Sequence, residues 1–520
     1  MTSSIPLSQR NQESARPMTQ NTPPTNQNPT QSQLSGARAP SNTLFYGDCL
    51  RVLTEDVPPE SVDLIYLDPP FNSKRDYNIP LGGKAQANVF QDTWVWSATQ
   101  DEALDYVAQR DATLYQQLEW LLKFAGSGTI AGSGGLPAYL AYMAARLLAC
   151  QRVMKETASI YLHCDPTAGH YLKLLLDAVF GSGNFVNEIV WSYQRWTGAT
   201  KSFQRMHDLL YFYAAKKGGT VFNMLTESYS EKSKHKGRRF SKFSDSGKLE
   251  QAYTGDSSRQ KAMRDVWEIS YLNSQAKERL GYPTQKPLAL LERIIRASSN
   301  EGDLVLDPFC GCGTAVEAAQ NLGRRWLGID VEPLAVDLMA RRLRERCGID
   351  PAIRGIPYDF AQAQRLAESA PYEFERWAIR LIPGAQPNFK QSGDGGLDGR
   401  AVVNVERRPQ PIFGFQVKGG KQVGRPALDA FHGALTMNGC AAGLLVVLEE
   451  RTAHRLRGQL GAQERVQLNG WLGPRIGVWS VEDWLAGRRG APVPPLVGAG
   501  ETLDLLQPQN WQRRLNAGVQ

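Results

Sequence analysis

An acid, two prolines and an aromatic close an apolar run at Ser61-Val-Asp-Leu-Ile-Tyr-Leu-Asp68-Pro69-Pro70-Phe71. The prolines fix φ and remove two N–H donors, so the Asp68 carboxylate and the neighbouring carbonyls form a stiff set of acceptors. Such a set suits a planar exocyclic amine, with Phe71 available to stack on its ring. Taken alone, the stretch also reads as an ordinary strand exit, which Asp-Pro often marks. A second cluster is Asp307-Pro-Phe309-Cys-Gly311-Cys-Gly313-Thr314, followed by an alanine-rich segment and Gly328-Ile-Asp330. Strand, glycine turn, helix and a second strand ending in an acid make a cofactor-binding β-α-β unit, in which Asp330 can accept from ribose hydroxyls. Gly-x-Gly without a third glycine favours an adenosine cofactor other than NAD. A third cluster is Gly393-Asp394-Gly-Gly-Leu-Asp398-Gly399 with Gln416-Val-Lys418. One acid, with a polar-x-Lys across a hairpin, is a layout for metal-dependent phosphodiester cleavage.

The elements that must position these groups can be read from apolar patterning. Leu44-Phe-Tyr-Gly-Asp48 and the stretch ending at Asp68 predict closely spaced strands of an α/β sheet, its site beyond their carboxyl ends. Asn72 to Gly135 carries Trp94, Trp96 and Trp120 and ends in a glycine-rich stretch over 126–135, expected to be a mobile lid. A helix over 138–157 leads to a strand at Ser159–Asp165, where neighbours His163 and Cys164 point to opposite faces. Sheet packing is the plainer reading of both. Beyond Tyr282-Pro-Thr284-Gln-Lys286-Pro, a helix is predicted with Leu288, Leu291, Ile294 and Ile295 on one face.

The chain of 520 residues is long enough for two or three domains. Its net charge of +7 is modest, but Arg195 to Asp265 holds 15 Lys/Arg against 7 Asp/Glu, so the excess is concentrated there. Aromatics are interleaved at Phe203, Phe222, Tyr229, Phe240, Phe243 and Tyr253. Phosphates take charges and bases take rings, which makes this a candidate nucleic-acid contact, although a solvated basic loop has the same composition. Seven scattered cysteines suit a reducing compartment better than a disulfide framework. No apolar run approaches the roughly 18 residues of a membrane span, and the expected location is cytoplasmic.

In order, these motifs resemble the β class of DNA amino-methyltransferases, the N6-adenine/N4-cytosine family, over about Leu44 to Arg346. The resemblance rests on Asp68-Pro-Pro-Phe71, Tyr282-Pro-Thr-Gln-Lys-Pro287, Asp307 to Thr314 and Gly328-Ile-Asp330. It implies a Rossmann-like methyltransferase domain using S-adenosylmethionine. Asp68 and Pro69, with Pro70 stiffening the turn, would receive the target amine, and Phe71 would stack on a base flipped from double-stranded DNA. Asp307, Phe309, Gly311, Gly313 and Asp330 would hold the cofactor, with Thr284 and Lys286 at its methionine end and Asp48 closing the pocket. The Pro-Cys dipeptide of cytosine-C5 enzymes is absent. An aspartate opening the motif favours adenine N6 over cytosine N4. The third cluster resembles the Mrr-like branch of the PD-(D/E)xK nucleases, a second, smaller α/β domain. There Asp398 and Gln416 would bind Mg2+, Lys418 would act on the attacking water, and Glu373 or Glu375 could add a carboxylate. A nuclease fold that only grips DNA is the alternative.

The expected organisation is a disordered polar tail over 1–42, a methyltransferase domain over 43–350 with its target-recognition region at 195–280, and a linker over 351–370. A nuclease-like domain over 371–485 and a tail over 486–520 complete it. A homodimer or a restriction-system partner subunit is compatible with this layout.

Overall fold

In the computed structural model, residues 39–73, 76–80, 86–126, 135–194, 201, 203–228, 239–243, 249–253, 260–273, 275–388, 395–405, 409–420, 422–461 and 464–498 are described. A nine-stranded sheet dominates, built from β1 (Thr43–Tyr46), β2 (Val62–Leu67), β3 (Met154–Cys164), β4 (Phe185–Ser192), β5 (His207–Ala214), β6 (Val266–Glu268), β7 (Leu304–Asp307), β8 (Arg325–Asp330) and β9 (Ala352–Arg354). Their order is β6-β4-β5-β3-β2-β7-β8-β1-β9, and only β5 runs antiparallel to its neighbours. Strands covered on both faces need apolar residues throughout, which is why β2 reads as a continuous run. Its Leu64 and Tyr66 enter the core on one face, and Ile65 and Leu67 the core on the other.

Helices α1 (Cys49–Glu55), α2 (Ala98–Arg110), α3 (Ala112–Ala125), α4 (Leu136–Val153) and α5 (Gly169–Phe180) pack on one face, and α6 (Leu288–Ser298), α7 (Thr314–Asn321) and α8 (Pro333–Cys347) on the other. The helix expected to end at Thr157 stops at Val153, where the chain turns extended into β3. From β2 the chain crosses to β3 on one side, and from β7 to β8 on the other. The crevice beyond the carboxyl ends of β2 and β7 is therefore the topological switch point of the sheet.

The second unit has α9 (Phe360–Ser369), α10 (Pro371–Arg380), α11 (Arg425–Met437) and α12 (Glu450–Leu460) around a sheet of β10 (Gln386–Pro387), β11 (Gly399–Val402), β12 (Ile412–Lys418), β13 (Ala442–Val447) and β14 (Ile476–Ser480). Residues 351–370 are not an irregular linker: β9 pairs with β1 at the edge of the large sheet, and α9 is capped by Asp359. The two units also share one apolar cluster, in which Tyr46 and Trp326 join Trp377, Phe415 and Leu444. The C-terminal tail is folded at its start, because Leu496 is buried and bridges Val403, and Val497 N–H donates to the Val402 carbonyl. Likewise Ala39 is buried and Asn42 N–H donates to the Trp326 carbonyl at 2.7 Å, so the N-terminal tail ends before these residues.

The rest of that tail lies outside the described residues, as does the expected lid but for Gly126 and Gly135. The described parts of 195–280 include two antiparallel pairs, Thr226–Ser228 with Gln260–Ala262 and Arg239–Phe243 with Leu249–Tyr253. Among the described residues, no helix is long and apolar enough to cross a membrane.

Candidate active site

One cleft at the switch point is lined by Asp68, Pro69, Pro70 and Phe71 after β2, and by Asp307 at the end of β7 with Phe309 and Gly311 beyond it. Thr284 and Lys286, Asp330 at the end of β8, and Asp48 after β1 also line it. Eleven of the twelve sequence-predicted positions thus meet in space. Gly313 does not line the cleft; it starts α7 in the left-handed conformation at φ +78°, with the Met339 side chain 2.8 Å from where a Cβ would stand. A side chain there would strain the backbone and collide with α8.

Asp68 is gripped by Lys286, whose Nζ donates to Oδ1 at 2.7 Å and to Oδ2 at 2.5 Å. The same ammonium donates to the Thr284 carbonyl at 3.2 Å and lies 5.1 Å from the centre of the Phe71 ring. Lys286 therefore belongs to the acid that begins the motif. A carboxylate has about four lone-pair sites, so this ion pair leaves acceptor capacity for an incoming amine.

The turn after Phe71 is built by Asp92, which the sequence reading did not single out. Its carboxylate accepts from the N–H groups of Phe71, Asn72 and Ser73 at 3.1, 2.7 and 2.6 Å. Three successive donors on one buried acid fix where the Phe71 ring stands. We expect Asp92→Ala to lower the turnover of whatever reaction the cleft performs by about 100-fold, because misplacing a reacting group by an ångström costs about that much. Steady-state kinetics of purified native and variant protein would check it.

His163 and Cys164 do point to opposite faces, but sheet packing does not describe His163. Its Nδ1 shares a 2.8 Å hydrogen bond with the Tyr66 hydroxyl, and its Nε2 lies 3.2 Å from Asp208. Nδ1 is 3.9 Å from Asp68, and the ring centre is 5.7 Å from that of Phe71. The histidine thus backs the Asp68 turn from inside the sheet. Alternation along β3 was the available signal, since it puts His163 on the Tyr161 face and Cys164 in the opposite core.

The other half of the cleft is held by backbone donors. Asp330 accepts from Gly311 N–H at 2.8 Å and Glu332 N–H at 2.9 Å. Burial nevertheless pushes its carboxyl up to about 7, the two N–H groups opposing it. Burial also holds Asp307 well above the usual carboxylate range, although Phe309 N–H donates to it. Gly311, at φ +53°, faces the Tyr282 ring 3.1 Å from where a Cβ would stand, so backbone is all that approaches the pocket there. Asp48 caps α1 through Leu50 N–H and pairs with buried Arg146 at 2.5 Å, so it shapes the wall as a paired charge.

In the second unit, Asp398 immediately precedes β11, and one of its carboxylate oxygens accepts from Val417 N–H at 2.7 Å. That places it against the segment of β12 between Gln416 and Lys418, which share one face of the strand. Gln416 donates through Nε2 to the Gly396 carbonyl at 2.9 Å. Its Oε1 is buried without a hydrogen-bond partner among the described residues. Glu373 is not part of this cluster: it accepts from Arg51 at 2.9 Å and from Asp48 N–H at 2.8 Å, on the other unit. Glu375, two residues along α10, stands on a different helical face. Among the described residues, no three His, Cys, Asp or Glu side chains gather as a metal cluster, so a cation here would depend on the Asp398 carboxylate and amide or carbonyl oxygens.

A family model described as DNA methylase matches residues 62–341, and one described as restriction endonuclease matches residues 366–468. M.HpaI of Haemophilus parainfluenzae, a type II methyltransferase, is 26% identical over 307 residues, 58% of this chain and 75% of its own. YhdJ of Escherichia coli K12, a DNA adenine methyltransferase, is 27% identical over 307 residues, 58% of this chain and 83% of its own. The solved structure of the cytosine-N4-specific PvuII DNA methyltransferase is 17% identical, covering 59% of this chain and 87% of that one at a TM-score of 0.33.

Proposed function

From the premise that this chain belongs to the DNA methylase family, with a restriction endonuclease-like domain behind it, we propose that it methylates adenine N6 in double-stranded DNA. The observation that carries the amine chemistry is the Asp68 turn, a carboxylate fixed by Lys286 beside a Phe71 ring fixed by Asp92. Aspartate as the motif's first residue supports adenine over cytosine, as does the likeness to a DNA adenine methyltransferase. Sequencing DNA from cells that express the protein, with detection of modified bases, tests the choice: N4-methylcytosine in place of N6-methyladenine overturns it.

The pocket suits S-adenosylmethionine, which when bound would supply the methyl group on a cationic sulfur. Asp307 and Asp330 are buried acids whose ionisation burial disfavours; a cationic ligand with hydroxyl donors relieves that cost. Asp330 would take the ribose hydroxyls, and the Gly311 backbone would lie along the amino-acid portion. Asp68 and the Pro69 carbonyl would accept the N–H groups of a flipped adenine, drawing the nitrogen lone pair out of the ring and raising its nucleophilicity. Phe71 holds the base plane, and Asp68 receives the proton that the methylated nitrogen sheds. No acid or base beyond Asp68 is needed, because an exocyclic nitrogen attacks directly.

This assignment fixes a pH dependence. Hydroxyl donors stabilise the ionised form of Asp330, whose carboxyl stands at about 7 in the free protein. Below that pH, cofactor binding must expel a proton, and above it the acid is already ionised. Affinity for S-adenosylhomocysteine should therefore rise with pH up to about 7, by up to about tenfold per unit, and level off beyond. Calorimetric titration across this range measures it; a flat profile would remove Asp330 from the contact.

The second unit we assign to Mg2+-dependent DNA cleavage. The Gln416 Oε1, buried beside the Asp398 segment and without a partner among the described residues, is the observation that favours it over a module that only grips DNA. Asp398 and Gln416 would hold the ion, which would supply charge neutralisation at the scissile phosphate, and Lys418 would orient the attacking water.

A further inference from the structure

Helix α10 belongs to the endonuclease-like domain, yet its polar residues reach into the wall of the cofactor cleft. Glu332, two residues beyond Asp330, lines that cleft and is itself only 2% exposed. Arg376 donates to its Oε2 at 2.9 Å and Arg380 to its Oε1 at 2.7 Å. The backbone N–H of Glu332 is one of the two donors that orient Asp330. One turn earlier, Glu373 accepts from the backbone N–H of Asp48 at 2.8 Å, and its carbonyl accepts from the Tyr46 hydroxyl at 2.9 Å. The exits of β1 and β8, adjacent in the sheet and both bordering the cleft, are thus clasped by one helix from the other domain.

The opposite side of α10 packs on the endonuclease-like sheet. Ile379 lies 2.7 Å from where a Cβ of Gly399 would stand, and Phe374 lies 3.2 Å from that of Gly419. Gly399 adjoins Asp398 and Gly419 adjoins Lys418, so no side chain separates the helix from the strands that carry them. Clasp and packing together make α10 a rigid element common to both sites.

We propose that Glu373, Arg376 and Arg380 are positioning residues of the methyltransferase, setting its cofactor affinity from the second domain, and that cofactor binding in turn steadies that domain. The proposal rests on the cofactor reading given above. A buried Glu332 that loses one arginine keeps a charge that only the other can match, so it swings or draws in water, and the N–H that aims Asp330 moves with it. Arg376 also opposes the effect of burial on the Asp330 carboxyl. Reciprocity follows from linkage: whatever α10 adds to cofactor binding, bound cofactor returns to the seating of α10.

The test uses the full chain. Arg380→Ala should weaken S-adenosylhomocysteine binding by about tenfold and raise the KM for S-adenosylmethionine alike, with kcat at saturating cofactor changed less than about twofold. Arg380→Lys should restore most of the affinity. A role confined to folding would lower the thermal midpoint and kcat with no shift in KM. Hydrogen exchange across 371–380 should slow when S-adenosylhomocysteine is added to the native chain and slow less in Arg380→Ala. Should Arg380→Ala lose its cooperative thermal transition, Glu373→Gln gives the same comparison through the other clasp. Native binding with unchanged affinity in the variant and unaltered exchange over α10 overturns the proposal alone. A native chain that binds no S-adenosylhomocysteine overturns the cofactor reading, and the proposal with it.

Discussion

Replacing Asp68 with alanine is expected to lower methyl transfer to DNA by about 1,000-fold or more while leaving S-adenosylhomocysteine binding within a few-fold of native. The substitution removes a charge-assisted acceptor, worth about 1.5–3 kcal/mol, together with the base that takes the amine's proton, a function worth about 100- to 10,000-fold. The two losses overlap in one group, so they do not add in full. Asp68→Ala also frees Lys286, which is 7% exposed and donates to both oxygens of the acid. A buried ammonium stripped of its partner destabilises its surroundings, which makes Asp68→Asn the cleaner companion: it keeps an acceptor for Lys286 and loses the base. Transfer of labelled methyl groups to unmodified DNA, measured beside calorimetric binding, separates chemistry from cofactor affinity. Undiminished transfer in either variant would overturn the assignment of Asp68.

The second large effect concerns the other end of the chain. With Mg2+ and unmodified DNA the native protein is expected to cut, and Asp398→Ala or Lys418→Ala to reduce cutting by at least about 100-fold, with methyl transfer retained. Asp398 lies against β12 through the Val417 N–H, and its loss takes away the one carboxylate so placed there among the described residues. Lys418 ends β12, half-buried, on the face of Gln416. Retained methylation would show that the fold survives, because the two units share an apolar cluster through Trp377 and Phe415. A native chain that binds DNA without cutting it, or a variant that cuts undiminished, would reduce the second unit to a DNA-gripping module.

Much of the site was legible in the chain because its parts are local. Asp68-Pro-Pro-Phe71, the glycine turn at 311–313 and Asp330 each sit at a strand end, and a parallel sheet gathers strand ends at one edge. The apolar runs of β2 and β7 fixed those strands, and the basic, aromatic composition after Arg195 made that segment a candidate DNA contact. Missing from that reading were partners supplied from far along the chain. Lys286 reaches Asp68 across 218 residues, and no spacing rule relates them. Asp92 and His163 lie outside every motif: Asp92 follows the antiparallel pair of Asp76–Pro80 with Gln86–Gln91, and His163 stands on β3 beside β2.

The linker reading failed for a related reason. Residues 351–370 look like a linker because a three-residue edge strand carries almost no periodic signal, yet β9 completes the sheet beside β1. Glu373 was a candidate metal ligand by its position in the second unit, and it faces the first. Local sequence determined which groups could do chemistry: the Asp68 turn, the glycine turn with Asp330, and the Asp398–Lys418 pair. Only the tertiary structure decided which charges meet. Burial makes an unpaired charge too costly to leave, and the partner that answers it can come from any part of the chain, as Arg376 and Arg380 answer Glu332.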